Sequence, residues 1–325
     1  MNNLKPLFQE AHKLIEASRS ILIVTHIHPD LDTLSSALAL SNYLADIGKS
    51  HKVYNSGGFA KKHDFLPRFD KTIKKLPKFF DLIIAVDCAR LDRFGFEIDE
   101  KYKDIPIINI DHHISNTNFG KINIVKEELC ATALLIYEFF ESLDIPITPE
   151  IATCIYAGIY DDSLGFSIDR VDSDTFKVVS ELCKYDIEPY KIAQDIKSRE
   201  SLAKFRLVPK VLDSLELYDE GKIGVVICKK EWLNSTGAQY EDGKDVVEQV
   251  LHIKVVEVAI LLSELPKKET PKTKVSLRTQ NDNLDMSKIA NKYNGGGHKK
   301  AAGFVCKIAI EELKEKLLKD IKGTM

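Results

Sequence analysis

None of the six cysteines of this chain pairs with another as C-x-x-C, no apolar run approaches membrane-spanning length, and the first residues lack a basic-then-apolar leader pattern. The first absence removes the usual motif of thiolate zinc and dithiol redox sites, and Cys88, Cys130, Cys154, Cys183, Cys228 and Cys306 read mostly as small buried hydrophobes. The other two absences give the expectation of a chain in the reducing cytoplasm, with no membrane partner. A strong excess of one charge is also missing: 46 Lys and Arg against 49 Asp and Glu leave a formal net charge of -3. Long duplex DNA is therefore not an expected partner, whereas a short anionic ligand held by a few local cations is compatible with that balance. There is no internal repeat and no low-complexity tract.

What is present is an ordinary globular composition, 44% apolar and 29% charged, long enough at 325 residues for one or two domains. Apolar residues at helical spacing occupy 2–18. A β-branched run, Ile21 to Thr25, reads as a strand and breaks into the polar loop His26-Ile27-His28-Pro29-Asp30-Leu31-Asp32. A helix follows, closing near Gly48. Further strands are expected at His51–Asn55, Leu82–Val86 and Ile105–Ile110, and two helical patterns lie between Ala131 and Tyr160. Alternating strands and helices imply right-handed parallel crossovers, hence an α/β fold with a doubly wound, mostly parallel sheet. Helices are expected through 172–207, and Pro209 with the turn at Asp219–Lys222 suggests a boundary near 205–220. Strands at Ile223–Cys228, Val255–Leu262, Lys274–Arg278 and Gly303–Lys307 then mix with helices at 244–252, 285–293 and 309–321. The expected organisation is a domain over 1–190, a helical linker over 191–215 and a smaller α+β domain over 216–325, with the active site in the cleft between the two. Residues 266–273 read as a charged hairpin tip, and the lysine-rich stretches 71–78 and 267–274 as solvated faces.

The chemistry-bearing residues collect in the first domain. His26, Asp30 and Asp32 share one loop, Asp87 and Asp111-His112-His113 follow two strands, and Asp162 follows a helix. In a doubly wound sheet, ligands sit outside the carboxyl ends of the strands, where His26, Asp87 and Asp111 fall. Acids and imidazoles at the end of buried strands are costly unless they are paired. Carboxylates with a few imidazoles suit hard divalent cations such as Mn²⁺ or Mg²⁺, and two of these roughly 3.5–4 Å apart are the standard device for in-line attack on phosphorus. Singly, each feature has a plain reading: Asp30 or Asp32 as a helix cap, Asp87 as a strand end, the two histidines as a satisfied structural pair.

Together the motifs resemble the DHH phosphoesterase superfamily: H-x-x-P-D-x-D, an isolated strand-end Asp, D-H-H and G-I-x-x-D-[TS], in this order. Ser276-Leu277-Arg278 and the run Gly295-Gly296-Gly297-His298 resemble the DHH-associated C-terminal domain. The two-domain layout looks like that of bifunctional oligoribonucleases that degrade short oligoribonucleotides (nanoRNA) and dephosphorylate 3′-phosphoadenosine 5′-phosphate (pAp). The resemblance implies two divalent cations, Mn²⁺ before Mg²⁺, with His26 and Asp30 on one, Asp32, His112 and Asp162 on the other, and Asp87 bridging. It implies that Asp111 orients the histidine ligand His112, that His113 reaches the scissile phosphate, and that Arg278, Gly296, Gly297 and His298 hold the nucleotide. The implied reaction is in-line attack by a water or hydroxide bridging the two metals, on short single-stranded RNA and on pAp. A homodimer is compatible with this reading. The chain departs from the family pattern at His28, Leu31 and Ser163, none of which removes a ligand. Phosphodiesterases of cyclic or linear dinucleotides (c-di-AMP, pApA, pGpG) are the alternative within the same chemistry. A non-catalytic nucleotide- or RNA-binding protein is the alternative of another class.

Overall fold

A computed structural model describes residues 4–198, 200–265 and 272–324. Most of the expected hairpin tip, 266–271, and with it most of the lysine-rich stretch 267–274, lies outside the described residues. The chain divides into two compact units, Met1–Arg199 and Glu200–Met325.

The first unit runs α1 (Lys5–Ala17), β1 (Ser20–Thr25), α2 (Leu31–Asp46), β2 (Ser50–Tyr54), β3 (Thr72–Ile73), β4 (Leu82–Val86), β5 (Ile107–Asp111), β6 (Ile122–Val125), α3 (Thr132–Ser142), α4 (Pro149–Asp162), α5 (Ser173–Leu182) and α6 (Pro189–Ser198). Its six described strands form a wholly parallel sheet ordered β3-β2-β1-β4-β5-β6. The strand order reverses between β1 and β4, which makes that point the topological switch. β4 and β5 are buried at every position and β1 at all but its first, as their nearly continuous apolar runs require.

Alternation along the strands feeds two cores. Ile21, Ile23, Leu82, Ile84, Ile108 and Ile110 pack with α1, α2, α3 and α4 on one face. α2 is buried all round from Leu31 to Leu44, which its mostly apolar and small-polar sequence permits. On the other face Leu22, Val24, Ile83 and Ala85 meet Phe80, Phe94, Phe96 and Tyr102, carried by connecting segments and not by helices. Those rings interlock: Phe94 lies 5.7 Å from Phe96 and 5.6 Å from Phe119, and Phe80 stacks on Tyr102 at 5.2 Å. The short strands β3 and β6 were not expected from the sequence. β3 holds only two residues, inside the lysine-rich stretch 71–78.

The second unit runs α7 (Leu202–Asp213), β7 (Glu216–Tyr218), β8 (Ile223–Cys228), α8 (Lys230–Thr236), α9 (Val246–Leu251), β9 (Val258–Leu265), β10 (Lys272–Thr279), α10 (Met286–Asn291), β11 (Gly296–Gly297), β12 (Ala301–Cys306) and α11 (Ile310–Lys322). Its described strands form a mixed sheet ordered β11-β12-β10-β9-β8-β7, parallel only between β8 and β9. This is the expected smaller α+β architecture. Pro209 does not mark a boundary: it lies inside α7, whose Leu207 and Val211 are fully buried against Val226 and Leu261. Burial of the apolar stripe outweighs the missing amide of a single proline. β7, α8 and β11 were also not expected.

Phe94 is fully buried, so replacing it with alanine removes a ring that fills the helix-free face. Phe94→Ala is expected to lower stability by about 3–5 kcal/mol, read from urea unfolding. A loss below about 1 kcal/mol would mean that this aromatic layer is not a packed core.

Candidate active site

β1, β4 and β5 end in register. Thr25 pairs with Val86 and Val86 with Ile110, so the residues that follow emerge side by side at the switch point. Asp87 is in the left-handed region (φ 54°), a costly conformation for a residue other than glycine, and its carboxylate is only 2% exposed. Both of its oxygens accept from threonine hydroxyls, Oδ2 from Thr33 at 2.5 Å and Oδ1 from Thr132 at 2.8 Å.

Around Asp87 the donors fall into three overlapping groups whose ligand atoms lie within 4.8 Å of one another: His26, Asp30 and Asp87; Asp32, His112 and Asp162; Asp87, His112 and His113. Each side chain is placed by a local device. Asp30 caps α2, accepting from Thr33 N–H at 3.0 Å, with the Thr33 hydroxyl, whose proton goes to Asp87, 2.8 Å away; this plain role coexists with membership of the first group. The Thr33 hydroxyl also lies 2.9 Å from His26 Nε2. Asp32, in the first turn of α2, points its carboxylate at the start of α3 and accepts from the backbone N–H groups of Thr132 (2.7 Å) and Ala133 (3.1 Å). A helix N-terminus favours an anion at that position. Gly158 makes room for the same carboxylate, since a Cβ there would stand 2.6 Å from Asp32 Oδ1 and 2.8 Å from Ala133 Cβ.

His112 donates Nδ1–H to the carbonyl of Leu129 at 3.0 Å. A carbonyl can only accept, so the proton sits on Nδ1 and Nε2 is left as the free ring nitrogen, 3.4 Å from Asp162 Oδ2 and 3.7 Å from Asp87 Oδ1. Asp111 therefore does not orient the ring of His112. Its Oδ1 accepts from His112 N–H at 2.9 Å and faces Nδ1 of His113 at 2.7 Å, while Asn116 donates to Oδ2 at 2.5 Å. The two imidazoles are thus held differently: His112 is 5% exposed, and the side chain of His113 is 43% exposed.

The electrostatics follow this crowding. Burial, then the neighbouring carboxylates Asp87, Asp162 and Asp30, hold Asp32 well above the usual carboxylate value. Burial with Asp30 and Asp87 pushes Asp162 up to about 7. His113 moves up to about 9, chiefly through its hydrogen bond to Asp111. Burial opposes the charge on Asp111, yet the contacts with His113 and Asn116 hold it below its ordinary value. Burial lowers His26, against the pull of Asp87 and Asp30. Asp161 is pushed up to about 6 by burial and by Asp30, and accepts from Leu31 N–H at the start of α2. His28 is exposed and in none of the three groups. Arg93 forms no ion pair among the described residues, and its charge reaches His26.

The donor set fits hard divalent cations. It consists of carboxylate oxygens and imidazole nitrogens, and the nearby thiols of Cys88 and Cys130 are pushed up to about 12 and about 11 by burial, so neither offers a thiolate.

In the second unit Arg278 pairs with Ala301 across β10 and β12, and Gly296 and Gly297 pair with Gly303 and Ala302 across β11 and β12. The glycine run forms a strand of a tight hairpin, closed by His298 N–H to Ala301 O at 2.8 Å; it is not a turn that opens a helix. Gly297 needs its glycine, with φ 139° and no room for a Cβ beside Ala301 O. Gly296 is exposed, and a Cβ there would meet nothing within 4 Å. Arg278 Nε is held by Glu248 at 2.6 Å. Thr33, Thr132, Asn116 and the Leu129 carbonyl were not singled out from the sequence. The helix-start position of Thr132 was the one available signal.

Residues 20–159 match the model of the DHH family, N-terminal domain, and residues 225–325 that of the DHHA1 domain. The chain belongs to the DHH family and is of the metal-dependent phosphoesterase class that this fold and these Asp/His groups define. It is homologous over nearly its whole length to proteins named bifunctional oligoribonuclease and PAP phosphatase NrnA. The one from Thermus thermophilus is 28% identical over 321 residues, 97% of this chain and 93% of that one, and the one from Bacillus subtilis is 23% identical over 298 residues, 90% and 91%. A solved exopolyphosphatase-related protein from Bacteroides fragilis matches with a TM-score of 0.89 at 25% identity, over 98% of this chain and 97% of that one. Among the described residues no helix is long and apolar enough to cross a membrane.

Two outcomes follow from the crowding. A carboxyl group held at a raised value stabilises the fold while protonated. That contribution is fully present below the unfolded value near 3.8 and is lost as pH rises through about 7 for Asp162. Cation binding needs the ionised groups, so added Mn²⁺ is expected to raise Tm more at about pH 8 than at about pH 5.5. A gain that is no larger at the higher pH would contradict this. Gly158→Ala is expected to weaken Mn²⁺ binding about tenfold or more by displacing Asp32, measured by titration calorimetry.

Proposed function

We propose that this protein hydrolyses short oligoribonucleotides to mononucleotides and removes the 3′-phosphate of pAp. His26 and Asp30 would hold one divalent cation, Asp32, His112 and Asp162 a second, and Asp87 would serve both, with Mn²⁺ before Mg²⁺. The observation that carries this reading is the sharing of Asp87 and His112 among three donor groups. A single-cation site has no use for so many converging acids, which repel one another unless cations intervene. Homology along nearly the whole chain to proteins named for the two activities supports the choice of substrates.

When bound, the cations supply Lewis acidity, which lowers the pKa of water and neutralises phosphoryl charge. The chain's own residues do the rest. Thr33 and Thr132 fix both oxygens of Asp87, and the Leu129 carbonyl fixes the tautomer of His112. His113, kept cationic near neutrality by Asp111, offers its positive edge to charge developing on the phosphoryl oxygens. Arg278 and the Gly296–His298 segment would hold the nucleotide. The absence of any steric reason for glycine at 296 supports a close-approaching ligand there.

The test is a product-resolved panel with Mn²⁺: pAp, di- to pentaribonucleotides labelled at either end, pGpG and c-di-AMP. Mononucleotides from the short oligomers and AMP from pAp are expected. His112→Ala should lower kcat/KM by about 1000-fold, the scale of the several kcal/mol a catalytic metal supplies. Rapid opening of c-di-AMP with inert pAp and dinucleotides would overturn the substrate choice. Metal-dependent binding without any turnover would favour the non-catalytic reading.

A further inference from the structure

The sheet of the second unit is covered unequally. On one face Val275, Leu277 and Phe304 pack under α10 and α11. On the other, α7, α8 and α9 cover β8 and β9 through Val226, Ala259 and Leu261. The outward positions of β10, β12 and β11 on that side stay half-buried or exposed: Lys274, Ser276, Arg278, Ala301, Gly303 and Gly296. Cross-strand pairing sets Ser276, Gly303 and Gly296 in one row and Arg278 and Ala301 in the next, so the side chains of each row share a face. The result is a ledge floored by small residues.

At the β10 edge of this ledge lies a recess of about 230 Å³ lined by Tyr240, Lys244, Asp245, Glu248, Lys274, Ser276 and Arg278. Its charges are not balanced internally. Glu248 is engaged by Arg278 at 2.6 Å, and Asp245 by Lys204 at 3.3 Å. Among the described residues Lys244 and Lys274 have no acidic partner, and the Lys274 ammonium rests 4.6 Å from the centre of the Tyr240 ring. Tyr240 begins a short 3-10 turn, Tyr240–Gly243, which is closed by Gln239 N–H donating to Asp242 at 2.7 Å, so the ring is carried on a fixed turn. Two available cations beside a half-buried aromatic ring have the composition that binds a nucleotide without reading its sequence.

We propose that this recess is a subsite for a second nucleotide of a short single-stranded substrate, resting on the oligonucleotide reading above. Tyr240 stacks its base, and Lys274 and Lys244 hold the phosphate that links it to the nucleotide at Arg278 and the glycine hairpin. Lys274 and Arg278 are four residues apart on one strand, about 13 Å. Both side chains line the same recess, so one ligand can run along the strand from Arg278 to Lys274. With pAp held at Arg278 and the glycine hairpin, no second base is left to stack on Tyr240. The ammonium rests over the ring in a weak contact, and its flexible stem lets it swing to the phosphate as the base enters.

The experiment uses the full chain with Mn²⁺ and compares Tyr240→Ala, Tyr240→Trp, Lys274→Ala and Lys274→Arg with wild type on pAp and on a triribonucleotide. For Tyr240→Ala the KM for the trinucleotide should rise about tenfold, within the range of base–aromatic stacking, with kcat and all pAp parameters within about twofold. Tyr240→Trp and Lys274→Arg should restore trinucleotide KM, and Lys274→Ala should lessen its salt dependence by about one counterion. Equal losses on both substrates, or no loss on either, would overturn the subsite. If wild type turned over neither substrate, the proposed activity would fall. The subsite would then be judged by anisotropy of a labelled trinucleotide, with Tyr240→Ala binding weaker if the inference holds and equally if it does not.

Discussion

Like charges repel most strongly where water is scarce, and the first unit gathers Asp30, Asp32, Asp87 and Asp162 at one end of its sheet. Much of the local architecture answers that repulsion. The N-terminus of α3 points two backbone N–H groups at Asp32, two threonine hydroxyls hold Asp87, and Gly158 keeps α4 from crowding the same carboxylate. Even so, Asp32 and Asp162 remain above the ordinary carboxylate range, so hydrogen bonds alone do not compensate the charge. Divalent cations would, and the donors are of the kind such ions take.

The sheet brings these groups together at little cost because it is parallel. Strands that run the same way and end in register deliver their terminal residues to one edge, and the reversal of strand order between β1 and β4 opens a crevice there. The left-handed backbone at Asp87 turns the chain within one residue of the strand end. The three residues after Ile110 then separate by environment. Asp111 is fully buried as a hydrogen-bond hub, His112 is buried with one nitrogen free, and His113 reaches outward. In the second unit the same economy appears as an uneven covering of the sheet. Helices lie on both sides of β8 and β9, and the bare face of β10, β12 and β11 is left with small residues, a tyrosine beside it and two lysines that have no acidic partner among the described residues.

Much of this was legible from residue order. The buried strands β1, β4, β5 and β8 announce themselves as apolar runs, and the residues that the structure gathers into three donor groups are those that stand out as acids and imidazoles at the ends of strands and helices. Less legible were elements too short to carry a period, such as β3 and β11, and α7, where burial of Leu207 and Val211 overrides the signal of Pro209. The aromatic layer over Leu22 and Val24 was hidden too, because Phe80, Phe94 and Tyr102 sit in segments with no regular spacing.

Sequence by itself determined the α/β class, the kinds of donor and the family, since these depend on residue type and order along the chain. Tertiary structure alone decided which atoms meet. Asp111 holds His113 and leaves the ring of His112 to the Leu129 carbonyl, Thr132 reaches Asp87 across 45 residues, and Arg278 is held by Glu248. The physical reason is that hydrogen bonds and ion pairs form over about 3 Å, a distance that only the packing of strands and helices can set.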